Sequence, residues 1–400
     1  MSTVTTTASD STPAAEPPAP SPARRTNWIG VLVGIVVVIG LAALTRYLDK
    51  NVPVWTADTA FGKIAKSIEY PVYAIAIGLI GNAIITALRV RDALAPAFRT
   101  ELFIKTGLVL LGISVNLSVI WKAAGPAIIQ ALILITSVFF FAWWLGGKLG
   151  LDEKLRALLG TAVSICGVSA AIAAAGAVKA RREQLAYAAS LVIVFALPSI
   201  FLLPWLADLL DLRDVVAGAW IGGNIDTTAA VAAAGAIVGE DALQIATIVK
   251  TTQNALIGVV AVALTAYFAF RVAKPAAATA GTASTTVEGG AAEAAPSKPG
   301  LIELWRRFPK FVLGFIAASA IGTWYATSGW EGASANISTL NNLRTLFLIL
   351  AFVSIGLEFR VKALRQAGWR PIVVFGAATI ANIVLALALA SILFRTVTTV

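Results

Sequence analysis

Long apolar runs separated by short charged loops dominate this chain. The hydrocarbon core of a bilayer is about 30 Å thick, and a helix needs about 20 predominantly apolar residues to cross it. Runs of that kind lie at 27–46, 71–88, 102–120, 126–147, 157–178, 184–209, 214–237, 243–270, 309–328, 343–357 and 371–394. About 11 apolar spans are therefore expected, with 343–357 the shortest. The first run is long enough to span and shows no clear cleavage site, so it reads as an uncleaved helix rather than a signal peptide. Residues 1–26 are mostly Thr, Ser, Ala and Pro. Such a stretch cannot bury a core and is expected to be a disordered cytoplasmic tail. Residues 271–305, centred on AKPAAATAGTASTTVEGGAAEAAPSKPG, read as a flexible low-complexity cytoplasmic linker. It separates membrane helices at 27–270 from a second group at 306–400.

Two of the runs are broken, and their sequences match. Ser169-Ala-Ala-Ile-Ala-Ala-Ala-Gly-Ala-Val178 follows Ser164-Ile-Cys-Gly167. Thr228-Ala-Ala-Val-Ala-Ala-Ala-Gly-Ala-Ile237 follows Gly222-Gly-Asn-Ile-Asp-Thr-Thr228. Matched, Gly-interrupted apolar segments in two halves of a membrane protein point to a transporter's central site. Broken backbone leaves polar groups that are costly in lipid unless they line a cavity or hold a ligand. A second internal match, Gly107–Val115 with Ala351–Phe359, fits an inverted repeat. If every run crossed once, the broken pair would point the same way, and Lys179-Ala-Arg-Arg182 would land on the wrong side. Re-entrant hairpins remove both conflicts and are favoured over crossing broken helices, although length alone permits either. The expected fold is an all-α integral membrane protein of two inverted repeats, with two discontinuous or re-entrant helices meeting near the midplane.

Composition supports the membrane reading. The chain is 58% hydrophobic and 13% charged, against about a quarter charged in soluble domains. Its net charge of +10 is carried mainly by short loops. Arg24, Arg25, Arg89, Arg91, Arg99, Lys148, Lys154, Arg156, Arg306, Arg307, Lys310, Arg360, Lys362, Arg365 and Arg370 would face the cytoplasm, and the acidic Glu240-Asp241 loop the outside. This places the N-terminus in the cytoplasm of a multi-pass plasma-membrane protein and argues against nucleic-acid binding. One cysteine, Cys166, and no histidine leave no Cys–His dyad and few zinc ligands. No metal, no cofactor and no enzymatic activity are expected.

Charge inside lipid is costly and usually marks function. Asp226 stands at the second break. Lys250 lies nine residues beyond Asp241, about 13 Å deep along a helix, beside Thr251, Thr252, Gln253 and Asn254. One reading is a self-neutralising Lys250–Asp226 pair. The sharper one has Lys250 attract an anion while Asp226 tunes it or carries a coupling proton. Half-helices restarting near Ser169 and Thr228 would aim N-terminal N–H groups at the same place. Candidate substrate-binding residues are Lys250, Ser169, Gly167, Asn224, Thr227, Thr228, Thr251 and Gln253, with Asp226 for coupling. The bland alternative for the breaks is capping in kinked spans. The Ala-rich runs read as packing surfaces. Asn82 and Asn116 read as helix–helix bonds, Cys166 as a small residue at the break, Glu358 and Arg360 as interfacial. Trp143, Trp144, Trp324 and Trp330 suit interfacial belts.

These motifs resemble the YeiH-like family of sulfate exporters. The resemblance is carried by LLGISVNL around Gly112, SICGVSAAIAA at 164–174, GNIDTTAAVAAAG at 223–235, ATIVKTTQNAL at 246–256 and SIGLEFRVKALRQAG at 354–368. It covers about residues 70–270 and 305–395. It implies two inverted halves, a fold related to cation antiporters and bile-acid transporters, and an inorganic sulfur oxyanion as substrate. The family pattern often carries a His and then an acidic residue at the second break, where Asp226 and Thr227 stand here. It often carries an Arg where Gln253 stands, so a bidentate oxyanion donor is missing, and a monovalent or carboxylate anion stays open. The expectation is a secondary transporter of a small anion, working by alternating access. A proton- or cation-coupled exchanger centred on Asp226, or a non-transporting membrane scaffold or sensor, are the alternatives. The expected partners are a small inorganic or organic anion and the lipid bilayer, and homodimerisation is left open.

Overall fold

The computed structural model describes residues 28–59, 68–278, 305, 308–359 and 368–399. The expected tail at 1–26, most of the linker, and Arg24, Arg25, Arg306, Arg307, Arg360, Lys362 and Arg365 lie outside the described residues. The described chain is helical: α1 Trp28–Trp55, α2 Tyr70–Ala87, a short α3 Arg91–Leu94, α4 Thr100–Gly112, α5 Leu117–Lys148, α6 Glu153–Ser164, α7 Val168–Val178, α8 Arg182–Leu209, α9 Asp214–Asn224, α10 Thr228–Val238, α11 Glu240–Ala255, α12 Ile257–Ala278, α13 Phe311–Thr327, α14 Ala333–Glu358 and α15 Trp369–Leu393.

Seven helical stretches among the described residues are long and apolar enough to cross a membrane, with α11 and the apolar part of α12 counted as one. The helices α7, α10 and α13 are apolar but shorter. The expectation of 11 spans is thus not met by helix length. Part of the reason is local. The run at 102–120 divides after Gly112, and α5 then absorbs its tail together with the run at 126–147. The freed groups at this division have partners. Asn116 caps α5 by accepting from Ser118 N at 2.9 Å, the Ser319 hydroxyl of α13 donates to Val115 O at 2.6 Å, and Leu117 N donates to Thr323 Oγ1 at 2.9 Å. Asn116 is therefore a local cap. Asn82 does join elements, donating to Phe359 O at the end of α14 at 2.7 Å. The run at 343–357 is the end of a longer helix, whose start is polar enough to hide it. The helix α12 reaches Ala278, into the segment expected to be linker.

The helices form two bundles. In the smaller, α1, α2, α4, α13 and α14 pack together, and the larger contains α5 to α12 and α15. Close approach at glycine sets both. A Cβ on Gly78 of α2 would meet Val353 O of α14 at 2.4 Å. Cβ atoms on Gly218 and Gly222 of α9 would meet Ala242 O and Ala246 O of α11 at 2.5 and 2.6 Å. The rising numbers on both helices make α9 and α11 parallel. Small residues allow such backbone contact where lipid supplies no hydrophobic drive.

Each broken segment folds back on itself. At the feet of the first, Lys154 Nζ donates to Lys179 O at 3.0 Å, and Gln184 Nε2 donates to Asp152 Oδ1 at 2.7 Å. At the feet of the second, a Cβ on Gly239 would lie 3.4 Å from Asp214 Oδ2. The helix α15 measures the distance between the two pairs of feet. Its start lies by the first, where the Tyr187 hydroxyl donates to Gly368 O at 3.4 Å. Its end lies by the second, where Arg213 donates to Phe394 O and Arg395 O at 3.2 and 2.7 Å. The 25 residues of α15 span about 37 Å at 1.5 Å each. The two hairpins therefore enter the bundle from opposite ends.

Candidate functional site

The hairpin tips meet halfway along α15. Gly167 forms the first tip with φ +62°, a left-handed conformation in which a side chain is strained, and a Cβ there would also meet Val192 Cγ1 at 2.5 Å. The same position lies 3.3 Å from Cβ of Asp226 on the second tip. Asn382, 2% exposed, approaches both tips with its amide nitrogen, 3.5 Å from Val163 O and 3.3 Å from Asn224 O. Nothing in the sequence analysis singled out Asn382. The available signal was a lone Asn within the apolar run at 371–394.

Each tip is a pair of helix ends. The helices α6 and α9 present C-terminal carbonyls, whereas α7 and α10 present N-terminal N–H groups with no partner inside the helix. Thr227 caps α10 by accepting from Ala230 N at 3.2 Å. On α7 the cap position is Gly167 and no side chain takes the role. Ser169 is exposed in its first turn.

Lys250 faces the carbonyl ends. Its side chain is 1% exposed, and its ammonium donates to Ile165 O and, at 3.0 Å, to Gln253 Oε1. Gln253 is fully buried and donates onward to Gly223 O at 3.1 Å. Among the described residues no ion pair within 4.0 Å joins Lys250 to Asp226. The two buried charges still attract each other from beyond that distance, while the hydrogen bonds of Lys250 go to Ile165 O and Gln253 Oε1. Thr251 returns its hydroxyl to Thr247 O and Ile248 O of its own helix, at 2.8 and 3.0 Å. The amide of Asn224 is buried with neither atom bonded. Asn254 donates to Thr228 Oγ1 at 3.1 Å.

The N–H ends face a cavity of about 710 Å³ between the two bundles. Its floor is Cys166, Val168 and Ser169 of the first tip with Thr227 to Ala230 of the second and Asn254. The small bundle supplies the opposite wall through Ile104 and Ile355, and Arg99, Glu101, Lys105 and Glu358 are also on the lining. Of the candidate residues, Ser169, Thr227 and Thr228 line this space. Gly167 and Asp226, at the tips themselves, and Lys250, Asn224, Thr251 and Gln253 are buried and do not line it.

At the other end the two bundles are joined by a bidentate ion pair. Arg344 of α14 donates to Glu240 Oε1 and Oε2 at 2.5 and 3.1 Å and to Ser114 Oγ at 3.2 Å. Glu240 begins α11 beside the second feet. Arg344 is the second residue of the apolar run at 343–357, next to the polar Asn341-Asn342, and nothing near it in the sequence points to Glu240.

Comparison with known proteins places this architecture. Residues 32–375 match a family model described as Conserved hypothetical protein 698. A UPF0324 membrane protein of Rhodopirellula baltica is 34% identical over 403 residues, covering 94% of this chain and 70% of that protein. One from Nitratidesulfovibrio vulgaris is 38% identical, covering 80% of this chain and 54% of the relative. One from Nitrosomonas europaea is 31% identical, with coverages of 74% and 62%. The chain thus spans little more than half of the Nitratidesulfovibrio protein. No solved structure matches. The chain belongs to the YeiH-like UPF0324 family of membrane proteins.

Proposed function

We propose that the protein is a secondary transporter of a small anion, working by alternating access between its two bundles. One observation carries the reading: the N-terminal ends of α7 and α10, from hairpins of opposite direction, meet on the floor of one cavity. Helix N-termini favour anions through free N–H groups and a positive dipole end. The hydroxyls of Ser169 and Thr228 add donors there. Opposed hairpins along one membrane-length helix also support re-entrant segments and inverted halves. The charges support a sidedness. Lys148, Lys154, Arg156, Lys179, Arg181 and Arg182 gather around the first feet, and Asp208, Asp211, Asp214, Glu240 and Asp241 around the second. By the positive-inside rule the first feet and the cavity mouth face the cytoplasm, as does the N-terminus. The cavity is then open inward, and Arg344–Glu240 closes the outer end. A plasma-membrane location follows from the same reasoning.

Sulfate and related sulfur oxyanions are the first substrates to test, because family resemblance suggests them. The cavity floor holds hydroxyls and N–H groups and no Arg, so smaller or monovalent anions compete. The test is sulfate counterflow in proteoliposomes, with sulfite, thiosulfate, chloride and small carboxylates as competitors. Saturable uptake suppressed by one of these names the substrate. Absence of flux with every anion sinks the proposal and favours a proton or cation exchanger built on Asp226, whose buried carboxylate sits at the contact between the tips. In that case Asp226→Asn abolishes proton-coupled flux.

A further inference from the structure

Lys250 is the largest charged side chain buried in the hairpin bundle, yet the cavity does not reach it. Its hydrogen-bond partners are the carbonyl of Ile165, where α6 ends, and the amide oxygen of Gln253, and the buried Asp226 attracts it from beyond ion-pair distance. Through Gln253 the ammonium reaches Gly223 O, in the last turn of α9. Two helices thus end in the bundle interior with negative dipole ends converging, and one ammonium stands between them. Helix C-termini favour cations, and discontinuous membrane helices commonly meet this need with a bound ion. From this geometry we infer that Lys250 is a tethered counter-cation and a positioning residue rather than an anion ligand. It holds the carbonyl ends of α6 and α9, and so keeps the N–H ends of α7 and α10 turned to the cavity. The protein thereby carries covalently the charge that a bound monovalent cation would otherwise supply. The consequence for transport rests on the anion-transport reading; the clamp itself does not.

Removing the side chain should create a demand for a free cation. Lys250→Ala deletes the ammonium and leaves the space of a four-carbon stem beside Ile165 O. The full-length variant, purified without any added anion substrate, should melt several degrees below wild type in N-methylglucamine buffer. Methylammonium or Na⁺ should restore part of that loss, and the much larger tetramethylammonium should not. Wild type should respond to none of them. In proteoliposomes sulfate counterflow by the variant should fall by at least roughly tenfold and recover with methylammonium. Lys250→Arg retains a cation and should keep most of the melting temperature. If Lys250→Ala does not fold, Lys250→Met keeps the stem volume and is measured the same way. A direct ligand gives the opposite pattern: melting without substrate is unchanged, and only stabilisation by the anion is lost. That pattern, cation-insensitive melting in the Ala and Met variants alike, or loss of the cation rescue when Asp226→Asn is added to Lys250→Ala, which would make the carboxylate and not the carbonyl ends the group in need, overturns the inference. Cation rescue of stability in a protein that transports no anion would leave the clamp standing and sink the transport reading alone.

Discussion

Outward opening requires the Arg344–Glu240 pair to part, and Glu240→Gln is the mildest way to weaken it. The pair is asymmetric: Arg344's side chain is 10% exposed and Glu240's 47%. Breaking a fully buried pair costs about 3–5 kcal/mol, because a charge is left uncompensated. Here the half-exposed carboxylate is screened by water, so the loss should be nearer about 2 kcal/mol, within the range for hydrogen bonds to charged groups. Because α14 belongs to the small bundle and α11 to the other, that energy acts on the equilibrium between inward-open and outward-open forms more than on either bundle alone. At 1.4 kcal/mol per decade, 2 kcal/mol is about a 30-fold change in that ratio. A reporter can be placed at Ser169, which is exposed and lines the inward cavity, as Ser169→Cys in a Cys166→Ser background, since Cys166, the one native cysteine, is buried. In oriented vesicles a membrane-impermeant thiol reagent should label this background from the cytoplasmic side and hardly from outside. Glu240→Gln should raise the external labelling rate by about 30-fold and change cytoplasmic labelling little. Arg344→Gln should act in the same direction, and the double variant should add little, since both remove one interaction. External labelling that stays at the background rate in all three variants would refute the assignment of this pair to the outer closure.

Three further outcomes follow from the geometry. Gly218→Ala places a Cβ 2.5 Å from Ala242 O and should cost about 1–3 kcal/mol through forced separation of α9 and α11; an unchanged thermal melt would show that these helices are farther apart. Ser169→Ala and Thr228→Val remove donors from the cavity floor and should each raise the transported anion's KM several-fold with little effect on melting, and unchanged KM in both would place the anion elsewhere. Asp152 caps α6 at the first feet. Burial alone would raise its pKa, but donation from Gln184, Leu155 N and Lys154 N outweighs burial and lowers it. Its stabilisation is therefore complete above the ordinary aspartate value of about 3.9 and is lost as pH falls through the lower folded value. Asp152→Ala should cost about 1 kcal/mol at neutral pH, and melts compared below about pH 4 should show that difference closing.

The sequence made the breaks legible but not the direction in which their residues face. Matched Ala-rich segments located both tips, because a repeated polar interruption in an apolar run is rare enough to stand out. Parity and loop charge then favoured hairpins, and the contacts at Asp152, Lys154, Lys179 and Gln184 join the ends that this reading brings together. Ser169, Thr227 and Thr228 could be placed from the same pattern, since a helix restart fixes which residues occupy its first turn. Lys250 could not. A deep lysine near a helix N-terminus suggests an anion site, and nothing in its own sequence says that the carbonyl end of α6, some 85 residues away, is its partner. The residues that hold the arrangement together are long-range in the same way. Asn382 reads as a stray polar residue until α15 is laid between the tips, and nothing beside Arg344 in the run at 343–357 points to Glu240, its partner 104 residues away. Both errors have one cause. Apolar length marks where a helix can sit in lipid, whereas the charged and amide side chains that make this bundle specific serve backbone groups exposed by breaks elsewhere in the chain. A buried polar residue in such a protein is best read by asking which helix end needs it, and at Lys250 the answer is a carbonyl end, opposite in sign to the one an anion would seek.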